Sequence, residues 1–299
     1  MNWQFFLEVL VGGLLAGVMY SLVALGFVLI YKASGVFNFA QGAMVFFAAL
    51  TFVSLVERGF GFWVAFLITF GAMVLFGIAT ERVVLRPLVN QPQITLFMAT
   101  IGLTFVLEGL SQLLWGSQPH GLELGIQDQP IEWLSNAIGI NVSEFDLFAA
   151  LVAGILVSVL ALFFQKTRIG RALRAVADDH QAALAVGIPL QQIWAIVWTV
   201  AGFVALVSGL LWGARNGVQF SLTFTALKAL PVLILGGFES VAGAIVGGLI
   251  IGASEKLAEV YLGPYVGDGI ESWFPYVLAL AFLLVRPEGL FGEKRIERV

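Results

Sequence analysis

Apolar residues run along this chain in long, nearly uncharged blocks, separated by short clusters of glycine and polar side chains. Blocks of about 20 apolar residues are the length that crosses a bilayer as a helix. They predict spans at about 5–30, 36–56, 62–80, 94–115, 146–165, 192–211, 223–236, 241–257 and 272–286. Ten-residue segments of alternating polarity, the mark of a membrane barrel, do not occur. The expected architecture is therefore all-α: one polytopic membrane domain over residues 1–299, with about eight or nine spans.

Two blocks are interrupted in ways that predict broken or re-entrant helices. Leu25 to Leu50 is broken by Lys32, Ser34, Gly35, Asn38, Gln41 and Gly42. Leu230 to Gly252 is broken by Gly236, Gly237, Glu239, Ser240 and Gly243. Each contains Phe, four residues, then Gly-Ala: Phe37 to Gly42–Ala43, and Phe238 to Gly243–Ala244. Transporters built from internal repeats place such discontinuous helices at the substrate path. Gly35, Asn38, Gln41, Gly42, Gly236, Gly237 and Ser240 are therefore candidate path residues. The alternatives are two similar tight turns, with Asn38 and Gln41 serving as hydrogen-bonding glue between helices.

The longest polar run is Lys166 to Leu190. Arg168, Arg171 and Arg174 recur every three residues and stack on one side of a helix. Arg174 and Asp178 stand at i,i+4 and can pair. Leu173, Val176, Ala177 and Leu184 fall largely on the other side, and Gly187 and Pro189 end the element. This is a short amphipathic helix between spans, suited to touching a cytoplasmic partner. Its arginines serve equally well as charges that fix topology or bind lipid phosphate.

Composition narrows the class. The chain is 60% hydrophobic and 11% charged, has 34 glycines and lacks cysteine, so disulfide and thiol chemistry are excluded. Threading the spans puts Lys32, Arg82, Arg86, Lys166, Arg168, Arg171, Arg174, Arg286, Lys294, Arg295 and Arg298 on one side, 11 of the 15 Lys and Arg residues. That side is expected to be cytoplasmic, with the N-terminus outside and the C-terminus inside. The opposite loop, Gly116 to Asp146, carries only acidic charges. No Lys or Arg precedes the first apolar run, which argues for a retained span rather than a cleaved signal peptide. Trp3, Trp63, Trp115, Trp133, Trp212 and Trp273 read as interface anchors. Glu108 and Lys228 can pair or, more simply, snorkel to the interface. His120 and His180 sit in loops without a second ligand at metal spacing. No span carries a Ser/His dyad, an Asp pair or an H-E-x-x-H run, which argues against an intramembrane enzyme. No basic patch is large enough for nucleic acid.

Four separated blocks resemble the LivH-type permeases of bacterial ABC importers for branched-chain amino acids. They are Leu25, Gly26, Tyr31, Gly35, Asn38, Ala40 and Gly42; Thr167, Gly170, Arg171, Arg174, Ala175, Asp178, Ala182 and Gly187; the run Leu233 to Glu255; and the ending Val285 to Gly292. Gln41 and Ala43 depart from the His and Glu common there, which bears on the substrate rather than the family.

The resemblance implies half of a permease. A second, related permease subunit pairs with it, two ATPase subunits dock on the cytoplasmic side, and a periplasmic protein delivers substrate. The chain has no G-x-x-x-x-G-K-[ST] loop, so ATP is expected on the partners and no cofactor on this chain. By the same resemblance Arg168, Arg171, Arg174, Asp178 and Gly187 belong to a coupling helix pushed by the ATPases. Expected solutes are branched-chain or similar neutral amino acids. Urea, amides and aromatic or organic acids are alternatives within the family, and a stand-alone secondary transporter is an alternative outside it.

Overall fold

The computed structural model describes residues 3–88, 91–126, 128–178, 180–267 and 269–292, with the side chains of Leu134, Ala137, Ile138, Asp178, His180 and Gln181 left undescribed. Lys294, Arg295 and Arg298 thus lie outside the described residues. The helices are α1 (Trp3–Ser34), α2 (Gln41–Glu57), α3 (Phe62–Ala79), α4 (Gln93–Trp115), α5 (Glu132–Ile138), α6 (Glu144–Lys166), α7 (Arg168–Asp178), α8 (His180–Ala185), α9 (Leu190–Asn216), α10 (Leu222–Leu227), α11 (Ala229–Gly236), α12 (Val241–Val266) and α13 (Ile270–Val285). A π-helical turn, Thr80–Leu85, and a 3₁₀ turn, Arg86–Leu88, prolong α3. Among the described residues β-pairing is confined to two isolated bridges. The fold is all-α.

Among the described residues six helices are long and apolar enough to cross a membrane: Trp3–Ser34, Phe62–Leu88, Gln93–Trp115, Glu144–Lys166, Leu190–Asn216 and Val241–Val266. Gln41–Glu57, Leu222–Gly236 and Ile270–Val285 are apolar but shorter. The chain is a multi-pass membrane protein. It divides into two compact units: Leu25–Glu123 with Val159–Leu227, and Met1–Ala24 with Leu124–Ser158 and Lys228–Val299.

In the first unit α2 is apolar on every side and almost wholly buried, from Gln41 to Ser54. That is the pattern of a central helix. In contrast, α3 buries only Ala65, Thr69, Met73 and Gly77, one stripe at i+4 spacing. That stripe meets α9, where Met73 packs on Gly202 and Gly77 on the backbone of Trp198 and Thr199. The outer faces of α3 and α4 expose Leu67, Leu75, Phe105 and Leu113, as lipid-facing surfaces do.

In the second unit two small-residue stripes make the crossing. Gly13 and Gly17 of α1 meet Gly248 and Gly252 of α12, backbone against backbone. Membrane helices associate by such close approach because lipid offers no hydrophobic drive. Ser21 Oγ donates to Gly17 O at 2.9 Å and to Ile245 O at 3.3 Å, tying the same crossing.

Several expectations are corrected. The span at 223–236 is two short helices broken at Lys228. Pro231 lies in the first turn of α11, where its missing N–H costs nothing, so a new helix starts there. The amphipathic run 166–190 is helical over Arg168–Asp178 and His180–Ala185, with residue 179 outside the described residues. Leu173 and Val176 on α7 are buried, but Leu184 on α8 is 54% exposed, so the apolar face is covered along α7 and not at Leu184. His180 opens α8 rather than lying in a loop. Trp212 is buried and is no interface anchor.

Candidate functional site

Between α1 and α2 the chain turns over residues 35–40. Gly35 reverses it at φ +68, a conformation that a side chain resists. Asn38, fully buried, uses both ends of its amide. Its Oδ1 accepts from Ala40 N at 3.1 Å, and its Nδ2 donates to Gln41 Oε1 at 3.3 Å and lies 3.5 Å from Met44 Sδ. Thr100 of α4 closes the turn. Its hydroxyl accepts from Phe39 N at 3.3 Å and lies 3.1 Å from Phe37 O. Phe27 and Phe37 stack at 4.9 Å, and Phe39 packs edge-on against Phe37 and Phe97. Gln41 is also fully buried, and its Nε2 has no hydrogen-bond partner. A dry unpaired amide donor is costly, so this atom is a ready contact for a passing acceptor. Gly42 packs on Thr223, where an added Cβ would meet the carbonyl oxygen at 2.7 Å.

Removing the Asn38 amide strands Ala40 N–H and Gln41 Oε1 in a dry interior. Asn38→Ala should therefore cost about 2 kcal/mol or more. Thermal unfolding in detergent checks this, and a midpoint equal to the parent's would show that the turn does not depend on this side chain.

The second interrupted element is built likewise within its own unit. α11 ends at Gly236, and Gly237 turns at φ +100. Ser240 Oγ then caps α12 by accepting from Gly243 N at 2.9 Å, the usual answer to the orphan donors of a helix start. Gly236 and Gly243 lie backbone on backbone. The sequence did not indicate what seals this turn. The C-terminal run does so: Leu290 N donates to Leu235 O at 2.8 Å and Phe291 N to Gly236 O at 3.1 Å. Gly289 (φ +81) and the glycine at 237 were the only sequence signals for this pairing.

At the α6–α7 bend Arg171 and Arg174 fold back onto the end of α6. Arg174 donates to the carbonyls of Phe164 and Gln165, and Arg171 Nη1 lies 3.4 Å from Lys166 O. These are the orphan carbonyls at the end of α6. Among the described residues Arg174 bonds to α6; the side chain of Asp178, to which the i,i+4 spacing pointed, lies outside them. Thr167 Oγ1 accepts from Gly170 N at 3.1 Å. Gly170 itself is packed so tightly that an added Cβ would lie 2.6 Å from Phe164 Cα. Arg168 is exposed, and Gly187 ends the element at φ +84.

Lys228, at the break between α10 and α11, does not need Glu108. Its ammonium lies 3.1 Å from Oε1 of Glu255 on α12, which also accepts from Tyr20 Oη at 3.1 Å. Glu255 is 2% exposed. One helical position on, Lys256 pairs with Glu259 at 2.7 Å and Glu271 at 3.4 Å. His120 Nδ1 lies 2.9 Å from Glu57 Oε1.

Comparison with known sequences shows the family. Residues 9–286 match the family described as branched-chain amino acid transport system / permease component. The Salmonella typhimurium protein named high-affinity branched-chain amino acid transport system permease protein LivH is 28% identical, over 100% of this chain and 99% of that one. The Pseudomonas aeruginosa protein of the same description named BraD is 29% identical, over 98% of each. Among solved structures, PsaBC from Streptococcus pneumoniae in complex with Fab is similar at 14% identity and a TM-score of 0.45, covering 95% of this chain and 91% of that one. With 278 consecutive residues matched, from 9 to 286, the chain belongs to the branched-chain amino acid transport system permease family.

Proposed function

We propose that this chain is the permease subunit of an ABC importer and forms half of a translocation path for branched-chain or similar neutral amino acids. The observation that carries the proposal is the family match from end to end. The turn at Asn38, with the unpaired Gln41 Nε2 beside it, supports a path there. In this reading Gly35, Asn38, Gln41 and Gly42 are path residues of one re-entrant element, and Gly236, Gly237 and Ser240 are those of the other, each within its own unit. The chain's two units work as one permease domain. It pairs with a second, related permease subunit, two ATPases and a periplasmic binding protein, and it holds no cofactor of its own. It sits in a bacterial inner membrane with the N-terminus outside and the C-terminus in the cytoplasm, as the basic loops favour.

The coupling element is α7 and α8, with Arg168, Arg171, Arg174, Asp178 and Gly187. Arg168 offers the exposed charge for docking. Arg171 and Arg174 hold the bend that α7 pivots on. The pairing of Lys228 with Glu255 weighs against a secondary transporter that would use a lone Lys228 as its ion site.

Arg168→Glu is expected to release the ATPases on purification while the thermal midpoint stays unchanged. Arg174→Glu is expected to lower the midpoint as well, because a carboxylate cannot donate to the α6 carbonyls. Co-purification from membranes checks both. If Arg168→Glu retains its ATPases and ATP-driven leucine uptake, the docking surface lies elsewhere.

A further inference from the structure

The polar residues of α4 are not scattered. Thr100, Thr104, Glu108 and Gln112 recur every four positions through the middle and end of the helix, where Ser111, bonded back to Leu107 O, is the one other polar side chain. Residues four apart lie almost one above another and drift slowly around the helix. The stripe therefore passes from the buried face to the open one: Thr100 is buried, Thr104 and Glu108 are half-buried, and Gln112 is exposed.

Both ends of the stripe reach polar ground. At one end Thr100 closes the Asn38–Gln41 turn. At the other, Gln112 lines a small cleft with Ser117, Gln118 and Gln219, between Phe46 and Phe220. Every one of these residues belongs to a single compact unit.

Glu108 is the anomaly. No described residue forms a hydrogen bond or ion pair with its carboxylate. It lies seven residues before Trp115, about 10 Å along the axis, and so within the apolar stretch of the helix. A glutamate stem is too short to reach an interface at that depth, and ionisable groups there are rare unless they face a partner or a water-filled path.

We propose that the Thr100–Thr104–Glu108–Gln112 stripe is a wetted wall of the solute path, with Glu108 receiving the ammonium group of a zwitterionic solute. This deepens the transport reading and rests on it. An anionic group along the route stabilises the ammonium of a zwitterion, and among the described residues of this unit Glu108 is the spanning-segment carboxylate left open. Thr104 donates its hydroxyl back to Thr100 O at 3.1 Å, which leaves its oxygen free to accept from the same ammonium or from water.

The chain has no cysteine, so single cysteines report accessibility directly. Thr104→Cys, Glu108→Cys and Gln112→Cys are made in the assembled complex, with Val106→Cys and Leu110→Cys on the other, exposed side of α4 as controls. Each is held in nanodiscs, where both faces meet solvent, and treated with a cationic or an anionic membrane-impermeant methanethiosulfonate. The stripe positions are expected to react at least tenfold faster than the controls. At Thr104→Cys the cationic reagent should outpace the anionic one tenfold, and Glu108→Gln should abolish that preference.

Stripe cysteines no faster than Val106→Cys and Leu110→Cys would overturn the wetted wall and leave Glu108 bonded to a dry neighbouring helix. Fast labelling without charge preference would overturn the role of Glu108. ATP-driven leucine uptake by the unsubstituted complex is measured in parallel. Its absence counts against the amino-acid reading, while the labelling still decides the wall.

Discussion

Gly252→Leu is expected to leave little folded protein after detergent extraction. A Cβ at residue 252 would fall 2.5 Å from Gly17 Cα, and one at residue 17 would fall 2.5 Å from Gly248 O. The obstacles are backbone atoms, so no rotamer change relieves them, and α1 and α12 must move apart along the whole crossing. Overpacking a tight core costs about 1–3 kcal/mol, and rigid backbone clashes belong at or above the top of that range. The separation would also pull Ser21 from Ile245 O. A loss of about 3 kcal/mol lowers the midpoint of a chain this size by roughly 5 °C. Gly12→Ala, one position from Gly13 and with open space at its Cβ, is the matched control. It should equal or exceed the parent, because alanine favours a helix over glycine by about 1 kcal/mol. The measurement is the monodisperse fraction by size-exclusion chromatography after a temperature series. If Gly252→Leu falls within two or three degrees of Gly12→Ala, the crossing is not built as described.

Lys228→Met should cost nearly as much, for an electrostatic reason. Glu255 is buried and shares its Oε1 between the Lys228 ammonium and the Tyr20 hydroxyl. Breaking one side of a buried pair leaves an uncompensated charge and costs about 3–5 kcal/mol. Lys228 is itself 21% exposed, so the lower end of that range applies. Removing both charges, Lys228→Met with Glu255→Met, should recover more than half of the loss, because apolar replacements of a buried pair are often well tolerated. The double variant separates this account from simple damage to the break between α10 and α11. No recovery would mean that Lys228 matters for the helix break alone, not for the pair.

The regular spans were legible to within a few residues. The expected 62–80 and 94–115 became Phe62–Ala79 and Gln93–Trp115, because long apolar runs bounded by Gly or Pro leave little choice. α12 was read as ending near 257 but continues to Val266. Lys256 pairs with both Glu259 and Glu271, so these charges are accommodated on the helix.

The Asn38 turn stood out because an amide in an apolar run must find partners. Its partner Thr100, 61 residues away from Phe39, carried no local signal. The same holds for Tyr20 and Glu255, 235 residues apart, and for the C-terminal run that seals the Gly236–Gly237 turn. Periodicity put Arg171 and Arg174 on one face of the right helix. Only the bend after Lys166 shows that they curl back onto the end of α6. In each case spacing gives the face of a helix, while partner choice depends on which distant segment packs there.

The most direct test of the permease reading is to purify the chain from its native membrane in mild detergent, identify what accompanies it, and assay ATP-driven leucine uptake by the isolated assembly in liposomes. Co-purification of a second permease and ATPase subunits, with leucine uptake that stops without ATP, is the predicted result. A chain that purifies alone and moves a solute without ATP would contradict it.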